Sequence, residues 1–320
     1  MRKNSAHPLR LSSSPHLQGK RSTPWLMWQV VIALIPAAGA SLFFFRTHAL
    51  WLLVLCVGGA AAAEAVIVKI RGRKLTLRDG SAVLTGILLA LVLPPFTTWY
   101  AALLGAAVAI LIGKHLFGGL GANIFNPALI GRAFLLSAYP AMLTTFAVPG
   151  NLDAVTKATP LYLLKSQGIE TPLLPLFTGT IGGCIGETSA VCLLIGGVYL
   201  LARKIVDWRI PLSFLGTVIL MSTIFWILRP QSGSPAFHLL SGGMLLGILF
   251  MATDPVTTPS TKTGRYLFGT FCGIVIMILR YFSGLPEGVM YGILFMNAFV
   301  PLINRYTKPR RFGTGKMSTA

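Results

Sequence analysis

Apolar residues fall in long blocks separated by short polar, basic or proline-bearing connections. Ten blocks stand out: Leu26 to Phe45, Leu50 to Val68, Ser81 to Leu93, Trp99 to Phe117, Ile124 to Ala141, Leu176 to Leu201, Ile210 to Leu228, Leu239 to Met251, Tyr266 to Phe282 and Glu287 to Ile303. A helix needs about 20 residues to cross a hydrocarbon core, with roughly 17 to 25 tolerated. Most blocks meet that length, so the pattern predicts an all-α polytopic membrane protein of about ten transmembrane helices. Two blocks are short, Ser81 to Leu93 and Leu239 to Met251, and they hold positions three and eight. Shifted by 161 residues they share Leu84 with Leu245, Gly86 with Gly247, Ile87 with Ile248, Leu88 with Leu249, Pro94 with Pro255 and Thr97 with Thr258.

That correspondence predicts two inverted five-helix repeats with broken helices 3 and 8. The expected divisions are an N-terminal segment 1–25, a first repeat 26–141, a loop 142–175, a second repeat 176–303 and a tail 304–320. A block of 13 residues rises only about 20 Å against a core of about 30 Å, so each broken helix is expected to continue as irregular backbone. Such backbone survives in a membrane only where protein buries it or a cavity hydrates it, and in transporters paired interruptions mark the central site. The plainer alternative is a short tilted span followed by a proline turn.

Composition sharpens the class. The 320 residues are 54% hydrophobic and 11% charged, at a mean hydropathy of +0.73, which excludes an ordinary soluble domain. The net charge of +19 raises nucleic acid as a partner, but the basic residues lie in connections between apolar blocks. They are not gathered with aromatics on one face, so nucleic acid is excluded and membrane lipid is the expected partner. With alternate connections assigned to alternate sides, 21 Lys/Arg fall on one side and five on the other: Arg46, Lys157, Lys165, Arg229 and Arg280. The positive-inside rule then predicts cytoplasmic N- and C-termini and an outer position for residue 159. No cleavable-looking signal precedes the first block, which is expected to remain as a helix. Cys56, Cys184, Cys192 and Cys272 lie inside apolar blocks without a C-x-x-C pair, and no two histidines are spaced to clamp a haem. No metal site is expected.

One polar island interrupts the apolar sequence, Asn151 to Leu161, ending in Thr159-Pro160. Thr before Pro reads as a helix start, because the hydroxyl caps free N–H groups and Pro fits the first helical position. A phosphate ester on Thr159 Oγ1 would find open N–H groups and the positive end of a helix dipole; the plainer alternative is a capped surface turn. Glu187, after Gly182-Gly183-Cys184-Ile185-Gly186, is a carboxylate deep in an apolar block, expected to face the bundle interior. It suits cation or proton handling, a flavin contact, or a structural hydrogen bond. Asp254, followed by a run of Thr and Ser, suits a hard cation, a flavin ring edge, or an ordinary polar loop. Asn123, Asn126 and Arg132 open the fifth block, either as partners of a polar ring or as packing groups. Glu64, one turn before Lys69, is expected to reach for the interface.

The segment Asp153-Ala154-Val155-Thr156-Lys157-Ala158-Thr159-Pro160 resembles the D-x-x-[ST]-[GSA]-A-T segment of the RnfD/NqrB family, with Lys157 where that family usually has a small residue. Four further segments carry the resemblance along the chain: Ser12-Ser13-Ser14-Pro15-His16, Gly121-Ala122-Asn123-Ile124-Phe125-Asn126-Pro127-Ala128, Gly186-Glu187-Thr188-Ser189 and Met251-Ala252-Thr253-Asp254-Pro255-Val256. The Ser-Ser-Ser-Pro-His start favours the RnfD side of the family, and Arg132-Ala133-Phe134 looks more like NqrB. The resemblance implies a subunit of an Rnf-type ferredoxin:NAD oxidoreductase in a bacterial inner membrane, inactive alone, coupling electron transfer to Na⁺ or H⁺ translocation. It also implies FMN joined to Thr159 by a phosphodiester, with Asp153, Thr156, Lys157 and Ala158 around the attachment, and a noncovalent riboflavin near Asn123, Asn126 and Arg132. Implied partners are a second covalent-flavin subunit, iron–sulfur subunits and an FMN transferase. The alternatives are an NqrB-like subunit of a Na⁺-pumping NADH:quinone reductase and a small-solute channel or transporter built on inverted repeats.

Overall fold

A computed structural model describes residues 22–72, 77–148, 151–156, 159–187, 189–284 and 288–308. The Ser12 to His16 segment, Lys157, Ala158 and Thr188 lie outside the described residues, as do nearly all of segment 1–25 and the tail from 309. Helices α1 (Thr23–Phe45) and α2 (Thr47–Ile70) come first, then the short α3 (Ser81–Leu91). Next are α4 (Trp99–Val108), which runs on as a π-helical segment Ala109–His115, α5 (Pro127–Ala138) and α6 (Pro140–Leu143). A hairpin of β1 (Phe146–Val148) and β2 (Asn151–Thr156) follows, antiparallel with Phe146 opposite Thr156. The second half holds α7 (Pro160–Gln167), α8 (Leu173–Thr178), α9 (Ala190–Ala202), α10 (Arg209–Leu228) and α11 (Pro235–Leu240). It closes with α12 (Met244–Leu246), continued by a π segment Gly247–Met251, then α13 (Lys262–Phe282) and α14 (Val289–Thr307).

This corrects the expected architecture. Among the described residues only four helices, α1, α2, α10 and α13, are long and apolar enough to cross a membrane; a fifth span is formed if the bent pair Pro230–Leu240 and Met244–Met251, inclined by 49°, counts as one. That is far fewer than ten, and it does not give two five-helix repeats. Hydropathy reports how apolar a block's surroundings are, not whether its backbone forms one helix. Ser81–Leu91, Trp99–His115, Pro127–Ala138 and Ala190–Ala202 are apolar but short, and the 11 residues of α3 rise only about 16 Å. The sixth block breaks as well. Its glycines admit irregular backbone from Gly179 to Cys184 and a single 3₁₀ turn at Ile185–Glu187 before α9 begins.

The breaks are buried against one another. The Ile185 N–H donates to Leu93 O at 3.1 Å, satisfying two backbone groups that the helices leave open. Beside it, a Cβ at Gly186 would lie 2.6 Å from both Cβ and O of Leu91, so only glycine permits this approach. Gly269 and Gly273 do the same for α13 against α10, where a Cβ at Gly269 would come within 2.7 Å of Ile210 O. Apolar side chains such as Phe43, Trp51, Ile227, Leu228 and Phe282 stay exposed on the outside of the long helices, as lipid-facing groups do.

At one edge, Asp207 ties the α9–α10 turn to the start of α13. Its carboxylate accepts from Arg209 N at 3.0 Å and from Arg209 Nη1 at 2.8 Å, and it also pairs with Arg265 Nη1. Burial pushes the Asp207 carboxyl up, but the Arg209 N–H and the Arg265 and Arg209 guanidinia outweigh it and hold the pKa below the ordinary 3.8. A carboxylate with a depressed folded-state pKa stabilises above its unfolded value, and that stabilisation is lost as pH falls through the folded one. The melting temperature in detergent is therefore expected to drop more steeply below about pH 4 in the wild type than in Asp207→Asn, which starts lower and loses this component of the pH response.

Candidate functional site

Thr159 follows the hairpin and opens α7. Its Oγ1 accepts the Tyr162 N–H at 3.3 Å, and Pro160 occupies the first helical position, so the sequence reading of a capped helix start holds. The side chain is only 4% exposed, because it turns inward. It lines a cavity of about 340 Å³ together with Arg132, Tyr162, Gly242, Gly243 and Met290. Arg132 of α5 and Thr159 of α7 are thus brought to one space by the fold. The lining is mainly apolar with a few polar groups, the usual make-up of an organic-ligand site, and the volume falls in the range such sites occupy.

Glu187 does not line this space but packs against Gly243, which does. The chain at Gly243 takes a left-handed conformation, φ 64°, and a Cβ there would lie 3.1 Å from Glu187 Oε1; at Gly183 a Cβ would lie 2.8 Å from Oε2. The carboxylate is therefore seated between two glycines from different breaks, in a 3₁₀ turn and not in the continuous helix expected of it. Gly242, also at a positive φ of 62°, has its carbonyl held by the buried Arg280, whose Nη2 donates to Ser241 O at 2.8 Å and Gly242 O at 3.3 Å.

Asn123, Asn126 and Asp254 gather around a different cavity. Asn126 is 2% exposed and its amide already serves the fold. Oδ1 caps α5 by accepting from Ala128 N at 3.1 Å, and Nδ2 donates to Met251 O, at the end of the second π segment, at 3.3 Å. Asn123 Oδ1 accepts from Gly121 N at 3.3 Å, while Asp254 accepts from Val256 N at 3.2 Å and Thr257 Oγ1 at 3.3 Å. The space between them is about 40 Å³, room for a few waters. Arg132 does not line it, so the sequence grouping of Asn123, Asn126 and Arg132 divides between two cavities.

A charged cluster on the wall of that small cavity corrects the reading of Glu64. It does not reach for the interface: it is fully buried, with Oε1 2.8 Å from Lys114 Nζ. Lys114 sits in the π segment of α4, 2% exposed, and also donates to Ser81 Oγ at 2.5 Å, with Asp79 Oδ2 4.0 Å away. The charge count sets Lys114 among the inner-side basic residues, although it falls within the block Trp99 to Phe117. A lysine between Gly113 and His115 at the end of an apolar block was the available signal, but its partner lies 50 residues away. Asp153 and Thr156 belong to β2, where the sequence suggested only a polar island.

Interrupted apolar helices, buried charges and two internal cavities define a multi-pass membrane protein with sites inside its bundle. The chain belongs to the NQR2, RnfD, RnfE family, which matches residues 10–313. It is 46% identical to the D subunit of the Na(+)-translocating ferredoxin:NAD(+) oxidoreductase complex of Acetobacterium woodii, covering 97% of this chain and 96% of that protein. It is 43% identical to the D subunit of the proton-translocating ferredoxin:NAD(+) oxidoreductase complex of Clostridium ljungdahlii, covering 95% and 96%. It is 37% identical to the D subunit of the ion-translocating oxidoreductase complex of Escherichia fergusonii, covering 96% and 99%. The chain is accordingly a membrane subunit of an Rnf-type, redox-linked ion-translocating complex.

Proposed function

We propose that this subunit relays electrons through FMN esterified to Thr159 Oγ1, at the extracytoplasmic side of a bacterial inner membrane, within a ferredoxin:NAD oxidoreductase that translocates Na⁺ or H⁺. The observation that carries this reading is the buried Thr159, which lines a mainly apolar cavity of about 340 Å³. An ester phosphate at this hydroxyl stays beside the first N–H groups of α7, which favour an anion. Arg132 on the cavity wall supplies a positive charge that stabilises an electron-rich ring, and Tyr162 supplies an aromatic face with a polar edge. FMN, when bound, supplies the redox chemistry; the chain's residues hold, orient and electrostatically bias it.

A noncovalent riboflavin near Asn123, Asn126 and Arg132 meets a harder constraint: Arg132 lines the Thr159 cavity, and Asn123 and Asn126 line a small one with Asp254. About 40 Å³ does not hold a tricyclic ring, so a ring there requires Met27, Leu88 or Phe250, which line the space, to move aside. No electron-transfer step is assigned to that position. The partners that fit the reading are a second covalent-flavin subunit, iron–sulfur subunits and an FMN transferase. The two relatives named for Na⁺ and for H⁺ are almost equally similar to this chain, so the choice of ion does not follow from overall similarity.

The test is peptide mass spectrometry of the chain purified from a host that also makes the transferase. The peptide containing Thr159 is expected to carry the mass of an FMN phosphodiester, located on Thr159 by fragmentation. An unmodified Thr159 in active complex overturns the proposal.

A further inference from the structure

Of the five Lys/Arg on the sparsely basic side of the charge pattern, three converge in space from distant parts of the chain. Lys165 comes from α7, Arg229 from the end of α10 and Arg280 from the end of α13, and they line one cavity of about 540 Å³ with Ser232, His238 and Tyr281. No carboxylate lines it among the described residues, and Glu170 is occupied by the N–H and hydroxyl of Ser234.

The cations do not have equal freedom. Arg280 is 4% exposed and spends its Nη groups on His238 O at 2.6 Å and Ser241 O at 2.8 Å. Lys165 Nζ donates to Arg280 O at 3.2 Å and to Ser283 O, two carbonyls at the negative end of α13. Burial pulls its ammonium below the ordinary pKa of 10.5, the direction an added anion would reverse. The guanidinium of Arg229 is exposed and has no ion-pair partner among the described residues. Beside it, Ile227, Leu228 and Phe282 are each 71% exposed, so the charged cavity opens onto an apolar, lipid-facing surface.

We propose that this cavity binds the phosphate of an anionic phospholipid, with Arg229 and Lys165 as its direct cations, Arg280 as a buried charge behind them, and the acyl chains against Ile227, Leu228 and Phe282. Soluble phosphate esters share the headgroup chemistry; the apolar rim favours the lipid. The assignment does not depend on FMN at Thr159.

The intact complex, reconstituted in nanodiscs with equal phosphatidylglycerol and phosphatidylcholine, tests it by native mass spectrometry of the retained lipid. Arg229→Gln is expected to lower retained phosphatidylglycerol about fivefold, and Arg229→Gln with Lys165→Gln about 25-fold, while Arg229→Lys keeps most of it. If the double variant melts early, Arg229→Gln alone decides, since its guanidinium holds no other element in place. Equal phosphatidylglycerol in wild type and Arg229→Gln, or equal retention of phosphatidylcholine, overturns the proposal. Displacement of the lipid by millimolar inorganic phosphate at constant ionic strength assigns the cavity to a soluble ester and overturns the lipid assignment. Retention is expected to be unchanged in Thr159→Val.

Discussion

In a denaturing gel, the Thr159→Val chain is expected to show no flavin fluorescence, while the wild type made with the transferase fluoresces at the mass of the polypeptide. Valine nearly preserves the shape and removes the one atom the ester needs. It also removes the cap on the Tyr162 N–H, a loss of about 1 kcal/mol at the start of α7. A change of that size leaves the subunit folded, because α7 is a single short helix at the edge of a much larger bundle. Complex assembly should therefore persist while covalent flavin disappears. Thr159→Ser keeps both the cap and the ester oxygen, so a colourless serine variant would show that the transferase reads the threonine methyl. Persistent polypeptide-bound fluorescence in Thr159→Val would remove Thr159 from the mechanism.

Lys114→Met is expected to destabilise the subunit more than either change at Thr159. Removing one partner leaves the Glu64 carboxylate charged in a water-poor interior, with Asp79 nearby, at a cost of about 3 to 5 kcal/mol. Lys114→Met combined with Glu64→Met is expected to recover most of that loss, since a buried pair replaced by well-packed apolar side chains is often neutral. Thermal melting of the detergent-solubilised subunit reads both. If the double variant melts as early as the single one, the pair does more than balance its own charges, and Ser81 and Asp79 become the next residues to test.

The features that were legible in the sequence are local ones. Thr159-Pro160 is a helix start because a capping side chain and a proline sit side by side, and Thr159 caps as read. Asn126-Pro127 carries the same local signal and Asn126 caps α5, although the sequence reading takes it only as a ring partner or packing group. The shortness of α3 was visible too, as Ser81 to Leu93 carries too few residues to span. What stayed hidden depends on distant partners. Gly182 to Gly186 reads as helix packing until Leu91 arrives to occupy the space that glycine leaves. Glu64 reads as an interfacial charge, and Lys114 as one more inner-side cation, because nothing local joins them. Arg132 falls near Asn123 and Asn126 in sequence, yet α5 carries it round to the Thr159 cavity, a displacement that no motif records. Counting apolar blocks overstated the number of full-length helices for the same reason, since backbone continuity at a glycine-rich stretch is decided by what packs there.

The hydrogen bond from Ile185 to Leu93, with Gly186 seated on Leu91, pins the two halves of the chain together at their centre. A rocking-bundle cycle, with one half swinging past the other, would have to tear that rivet open in every turnover. Under the proposed function, the movement that accompanies ion translocation is expected to leave this contact closed and to use side chains or short turns elsewhere, or to fall to neighbouring subunits.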